Sequence, residues 1–236
     1  MKTQASDVGP DAPCMTSQEP LSGAHLYERL VLSPRHEADV TQDTDFDQHV
    51  IASILAMSIT DHGSIAEGVG LSHGDIHTLL QRRFPRVELD AATIGVGCGL
   101  DDEAAMVRDL LLGHRSGETE LGSWLAAMIA RRAMEPNHLW EDLGLRNRAE
   151  LSRMLLRHFA PLAERNTGNM RWKRFFYRML CEEEGFVLCT TPICTDCRDF
   201  DLCFGDDTGE SRMAERRRES LRFTDDPSNS AVDATV

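Results

Sequence analysis

The sequence predicts an all-α protein: a single helical domain that runs into a C-terminal cysteine loop, with disordered termini on either side. Three observations carry this prediction. Apolar residues recur every three or four positions through several stretches, the period of a helix buried along one face. Residues that start and stop helices bracket those stretches. Nowhere does an apolar/polar alternation persist for the length of a strand. The expected divisions are an acidic, disordered segment over 1–42, a helical domain over 43–205 with a metal-cluster loop at 186–204, and a charged tail over 206–236.

Composition narrows the function classes. With 236 residues, 41% of them hydrophobic and 27% charged, the chain can build a real core. No apolar run approaches the roughly 18–20 residues of a membrane span. Met1-Lys-Thr-Gln-Ala-Ser-Asp offers no apolar core for a secretory signal, and seven cysteines is an odd number, so a disulfide framework is not expected. The expected compartment is the cytoplasm. A net charge of −14 argues against nucleic acid or an anionic membrane as the main partner. That average hides an inversion, because residues 146–178 carry nine basic side chains against two acidic ones, a net +7.

Residues 1–42 are rich in Pro, Ser, Asp and Thr and are expected to stay disordered, with Cys14 an incidental thiol. The first helix spans about Asp45–Ile59, with Phe46, Val50, Ile51, Ile54 and Leu55 at helical spacing and His62-Gly63 at its end. Over 64–84 a short helix, a glycine turn and a second helix resemble a helix-turn-helix; Ser72 and Asp75 cap the second, and Ile76, Leu79 and Leu80 form its stripe. Its outward residues, His73, His77 and Gln81, make a poor basic surface for reading DNA, and the two histidines have no further metal ligand in view.

Gly95-Val-Gly97-Cys98-Gly99 reads as a turn, since no Lys-Ser/Thr follows it as in a phosphate loop. Asp101 caps a helix running to about Leu112, with Gly113 at its end. Glu120 to about Met134 is next, ended by Pro136; Asn137–Gly144 is one tight helical turn. Asn147 caps the helix carrying Leu151, Met154 and Leu155, which Pro161 kinks or ends. From Met170 to Cys181, Trp172, Phe175, Phe176 and Met179 share one arc of a helix, while Arg171, Arg174 and Arg178 share the opposite one with Cys181 beside them.

That helix delivers the chain to Cys189, Cys194, Cys197 and Cys203, spaced C-x4-C-x2-C-x5-C. Four thiolates in so short a run favour a thiophilic metal. Structural zinc sites usually split their ligands into two separated pairs, whereas iron–sulfur clusters are commonly wrapped by one compact run, so the spacing favours an iron–sulfur cluster, with zinc and disulfides as alternatives. A cluster saturated by four cysteines suits electron transfer or a structural role; one with a labile corner suits metal transfer. The cationic arc upstream, the nearby thiol of Cys181 and the crowding of Asp196, Asp199 and Asp201 favour transfer. Arg174 and Arg178 are the expected residues for capturing an oxyanion or docking a partner.

The run Asn137-His-Leu-Trp-Glu-Asp-Leu-Gly-Leu, then Glu150-Leu-Ser with Arg157-His-Phe, then Asn169-Met-Arg-Trp-Lys-Arg-Phe-Phe-Tyr-Arg, then the cysteine quartet with Asp199-Phe and Cys203-Phe-Gly, is similar to the NifQ family over about residues 120–205. The resemblance implies a non-enzymatic iron–sulfur protein that carries molybdenum in a mixed cluster, of 4Fe-4S or Mo-3Fe-4S type, to assembly of the nitrogenase iron–molybdenum cofactor. It also implies Cys189, Cys194, Cys197 and Cys203 as the ligands, with the cofactor-assembly scaffold and the nitrogenase reductase as partners. Molybdate is a possible ligand under this reading. The contrasting expectation is an iron–sulfur or zinc regulator that binds DNA through residues 64–84.

Overall fold

A computed structural model describes residues 21–31, 43–97 and 99–183. Every regular element among them is a helix: α1 (Gly23–Val31), α2 (Asp43–His62), α3 (Ile65–Val69), α4 (His73–Arg83), α5 (Ala91–Ile94), α6 (Asp102–Gly113), α7 (Glu120–Ala133), α8 (Leu139–Asp142), α9 (Arg148–His158), α10 (Ala160–Ala163) and α11 (Trp172–Glu183). None of these is long and apolar enough to cross a membrane.

The axis of the fold is α2. Between Phe46 and Ile59 it is buried nearly all round, as expected of a helix apolar on every side. Its partners are α1 and α3, while α7 joins α3, α6 and α8, and α11 lies against α6. Gly63, with φ +78°, stops α2, and Gly70, with φ +63°, turns the chain from α3 towards α4. At Gly70 a side chain would strike Leu100 and the Arg131 Cβ, so the close passage of α7 also requires glycine there.

Side-chain caps fix where several helices begin. Ser72 accepts from the Asp75 amide, Asp101 from Ala104, Thr119 from Gly122 and Asn147 from Glu150. The helix ahead of Pro161 ends, as expected, and the proline itself opens the next one. The preceding helix ends at His158, and Pro161 stands in the first turn of α10, where its missing N–H has no helical partner to lose.

One expectation is corrected outright. Residues 23–31, inside the stretch expected to be disordered, form α1, with Leu26 fully buried and Leu30 4% exposed. The reason is local close packing. A Cβ on Gly23 would lie 2.1 Å from Thr60 Oγ1 and 2.3 Å from the Ala56 carbonyl oxygen, so only glycine lets the two helices meet there. Tyr27 completes the seam, its hydroxyl 2.7 Å from His49 Nδ1, and His49 Nε2 lies 3.1 Å from Glu150 Oε2 on α9. Burial alone would raise the Glu150 carboxyl pKa; hydrogen bonding and charge from His49 and Arg146 outweigh it and hold the pKa below the ordinary carboxylate value. Asp47 is held down in the same way, its burial outweighed by His158 and Arg157. Arg153 lies over the Phe46 ring, 4.0 Å from its centroid, and adds a third tie between α2 and α9.

Candidate functional site

Cys189, Cys194, Cys197 and Cys203 lie outside the described residues, as do the rest of loop 186–204 and the expected cap at Gly185. Among the described residues no three His, Cys, Asp or Glu side chains converge as metal ligands. What the structure does place is the helix that leads to the quartet and the surface around its first turn.

The buried arc of α11 is as expected: Trp172, Phe175, Phe176 and Met179 are each at most 6% exposed. Trp172 meets Phe175 edge to face, with centroids 5.7 Å apart, and its indole N–H donates to Ser152 Oγ at 3.4 Å. The opposite arc divides by role. Arg178 Nε donates to Glu182 Oε1 at 2.8 Å, a bond within the helix itself. Arg174 is partly exposed and forms no ion pair or hydrogen bond among the described residues. Cys181, a free thiol, is partly exposed.

Lys173, counted above with the cationic segment, points inward. Its ammonium donates to Asp142 Oδ2 at 2.6 Å and to the Glu135 carbonyl oxygen. Burial lowers its pKa and Asp142 only partly restores it. Asp142 is wholly buried and also accepts from the Asn137 amide at 3.1 Å and from Asn137 Nδ2 at 2.9 Å. Arg132, likewise buried, donates through Nε to the Asp142 carbonyl oxygen at 2.6 Å and through an amino group to Asp61 Oδ2 at 2.5 Å. Glu135 adds His62 and Arg131, each at 2.8 Å. Its pKa is lowered although burial opposes this, because Arg132, His62 and Arg131 favour the anion. A knot of charge therefore fastens the ends of α2 and α7 to α8 and to the first turn of α11.

Through Lys173 the knot reaches the lining of a cleft of about 610 Å³. One wall is Pro136, Asn137, His138 and Glu141; the other is Arg171, Trp172 and Arg174. Both walls are braced. The His138 amide donates to Glu141 Oε2 at 3.0 Å, closing a capping box at the start of α8. Before α11, Asn166 holds Met170 by amide and carbonyl, and Arg148 donates to the carbonyls of Asn169 and Met170 at 2.9 and 2.8 Å. Asn169 takes the left-handed conformation, φ +53°, that this turn requires.

Sequence reasoning assigned no role to Asn137, Asp142 or Arg132. A signal was present in Lys173, which flanks the apolar arc immediately after Trp172 instead of lying opposite it. The outward side of α4 is His73, Asp75, His77 and Gln81, and Arg82 is ion-paired to Glu120 at 2.5 Å, so that helix presents no cationic face to a duplex.

No solved structure matches the chain. Among curated proteins, it is 40% identical over 192 residues to a NifQ homolog from Sinorhizobium fredii, covering 79% of this chain and 83% of that one. It is 44% identical over 160 residues to protein NifQ from Rhodobacter capsulatus, covering 67% and 87%, and 35% identical over 156 residues to protein NifQ from Klebsiella pneumoniae, covering 60% and 89%. A model of the NifQ family matches residues 50–205, a span holding the charge knot, the cleft and all four clustered cysteines, and the chain belongs to that family.

Proposed function

We propose that the protein is an accessory factor of nitrogen fixation that carries molybdenum, held with iron and sulfide, and donates it to assembly of the nitrogenase iron–molybdenum cofactor. The observation that carries this reading is the family match, which extends through Cys203 and so takes in the whole quartet. Cys189, Cys194, Cys197 and Cys203 are the ligands under this proposal. Their chemistry fits, since four thiolates in a fifteen-residue run suit iron and sulfide better than a lone hard cation. When bound, such a cluster supplies soft sulfide donors for the molybdenum cargo. The chain's own contribution is a rigid helical base for the loop, with α11 wedged by Trp172 and tied down by Lys173. The receiving partners proposed are the cofactor-assembly scaffold and the nitrogenase reductase.

The test is elemental analysis and electron paramagnetic resonance on protein purified without oxygen. Iron, acid-labile sulfide and molybdenum are expected together, and Cys194→Ala should lose them while keeping its helical circular dichroism. Stoichiometric zinc with no labile sulfide refutes the proposal.

A further inference from the structure

The cleft in front of the charge knot has a composition that selects its ligand. Arg171, Lys173 and Arg174 line it against a single lining carboxylate, Glu141, whose Oε2 is taken up by the His138 amide. Asp142 behind the wall is matched by Lys173. Three cations, Arg171, Lys173 and Arg174, thus stand against two carboxylates, Glu141 and Asp142, so the local balance is positive in a protein whose overall charge is −14. A guanidinium offers a planar fork of N–H donors suited to oxyanions. Asn137 supplies a further polar group on the facing wall, while Leu139, Leu151 and Trp172 make part of the lining apolar. A cationic cleft that replaces part of an anion's water favours the larger of two dianions with equal charge, because the larger ion is less costly to strip of water.

Arg174 is the residue best placed to move onto such an anion. It lies at the cleft wall on the first turn of α11, partly exposed, and holds no carboxylate among the described residues. By contrast Arg178, one turn further on, is engaged with Glu182. The walls do not need to be assembled on binding, since Asn137 is fixed by Asp142 and the α11 turn by Lys173. A preformed site spends less of its binding energy on ordering side chains.

We propose that the cleft between Asn137–Glu141 and Arg171–Arg174 is a binding site for a tetrahedral dianionic oxyanion, with molybdate as its ligand and Arg174 as its principal contact. This rests on the carrier reading above for the identity of the ion, and it adds the place where the ion first docks, apart from the thiol ligands. The step is binding alone: no bond is made or broken and no electrons move.

Equilibrium dialysis of the full chain against sodium molybdate, with bound molybdenum measured by mass spectrometry, tests it. Saturable binding is expected, weakened by at least ~10-fold in Arg174→Gln and unchanged in Arg178→Gln, with circular dichroism and iron content retained in both. Tungstate should compete with molybdate, and equimolar sulfate or phosphate should not displace it. Wild-type affinity in Arg174→Gln, equal losses in both arginine variants, or displacement by sulfate or phosphate overturns the proposal. Cys194→Ala separates the two readings. Molybdate binding that survives there supports the cleft, and binding that disappears with the cluster overturns it. Protein that contains iron and sulfide but binds no molybdate in dialysis sinks the cleft alone. Protein that binds molybdate through Arg174 yet never holds iron or sulfide sinks the carrier reading alone.

Discussion

Replacing Asp142 with alanine should be among the most damaging single changes in the chain. Its side chain is wholly buried and accepts three hydrogen bonds, one of them from Lys173, whose side chain is only 19% exposed. Without Asp142, an ammonium already desolvated by burial is left facing no carboxylate within bonding distance, and two donors of Asn137 lose their acceptor. Removing one partner of such a pair costs about 3–5 kcal/mol. For a chain of this size that lowers the melting midpoint by ~6–20 °C. Lys173→Met should cost a similar amount, since it strands the carboxylate. The double variant Asp142→Asn/Lys173→Met removes both charges at once and should fall short of the sum of the corresponding singles by ~1–3 kcal/mol. Urea unfolding followed by far-ultraviolet circular dichroism on wild type, Asp142→Asn, Lys173→Met and the double gives the coupling directly. Strictly additive losses would mean that the two groups do not sense each other, and the knot would have to be abandoned as the brace of the cleft. The pH dependence provides a second check. The folded pKa of Lys173 lies below its ordinary value, so between the two the unfolded chain holds more protons and stability should rise with pH. That alkaline gain should vanish in Lys173→Met.

Two further outcomes follow from the helix contacts. Leu26→Ala should cost about 2–5 kcal/mol, because Leu26 is completely buried where α1 meets α2; a change within error in urea titration would show that α1 does not dock in solution. For Glu150 and Asp47, whose pKa values are depressed in the fold, the sign is opposite to that of Lys173: their stabilisation is full above the ordinary carboxylate range, about pH 4, and is lost as pH falls through the folded values. Glu150→Gln should therefore be less stable at neutral pH and lose less on acidification, and an unchanged acid slope in urea unfolding at stepped pH would count against the His49–Glu150 pairing.

Much of the helical frame was legible because it is written in short-range signals. Ser72, Asp101 and Asn147 each cap the helix they were expected to cap, and the stripe Trp172–Met179 is buried as its spacing implies. Two kinds of information were not local. The helix α1 was lost inside a polar stretch because five apolar residues are diluted by the composition around them, while what orders them is a glycine contact with α2, more than thirty residues further along. The net +7 of residues 146–178 was real as a count but not as a surface. Arg146 pairs with Glu150, Arg157 with Asp43 and Asp47, Arg165 with Glu182, and Lys173 with Asp142. Charge summed along a chain ignores carboxylates brought in from elsewhere, so the cationic face is much smaller than the count. The expectation that Cys189, Cys194, Cys197 and Cys203 are metal ligands rests on their spacing and the family resemblance, and these residues lie outside the described ones.

The buried charges between α7 and α11 also bear on how this protein can change over generations. Asp142 answers to a lysine 31 positions away, and Arg132 to Asp61 at a distance of 71. A substitution at one of these sites leaves its counterpart stranded, so single steps are penalised and the accessible route is a matched exchange of both. Across relatives, these distant positions should vary in concert or not at all, a covariation that a sequence alignment would reveal without any experiment on the protein.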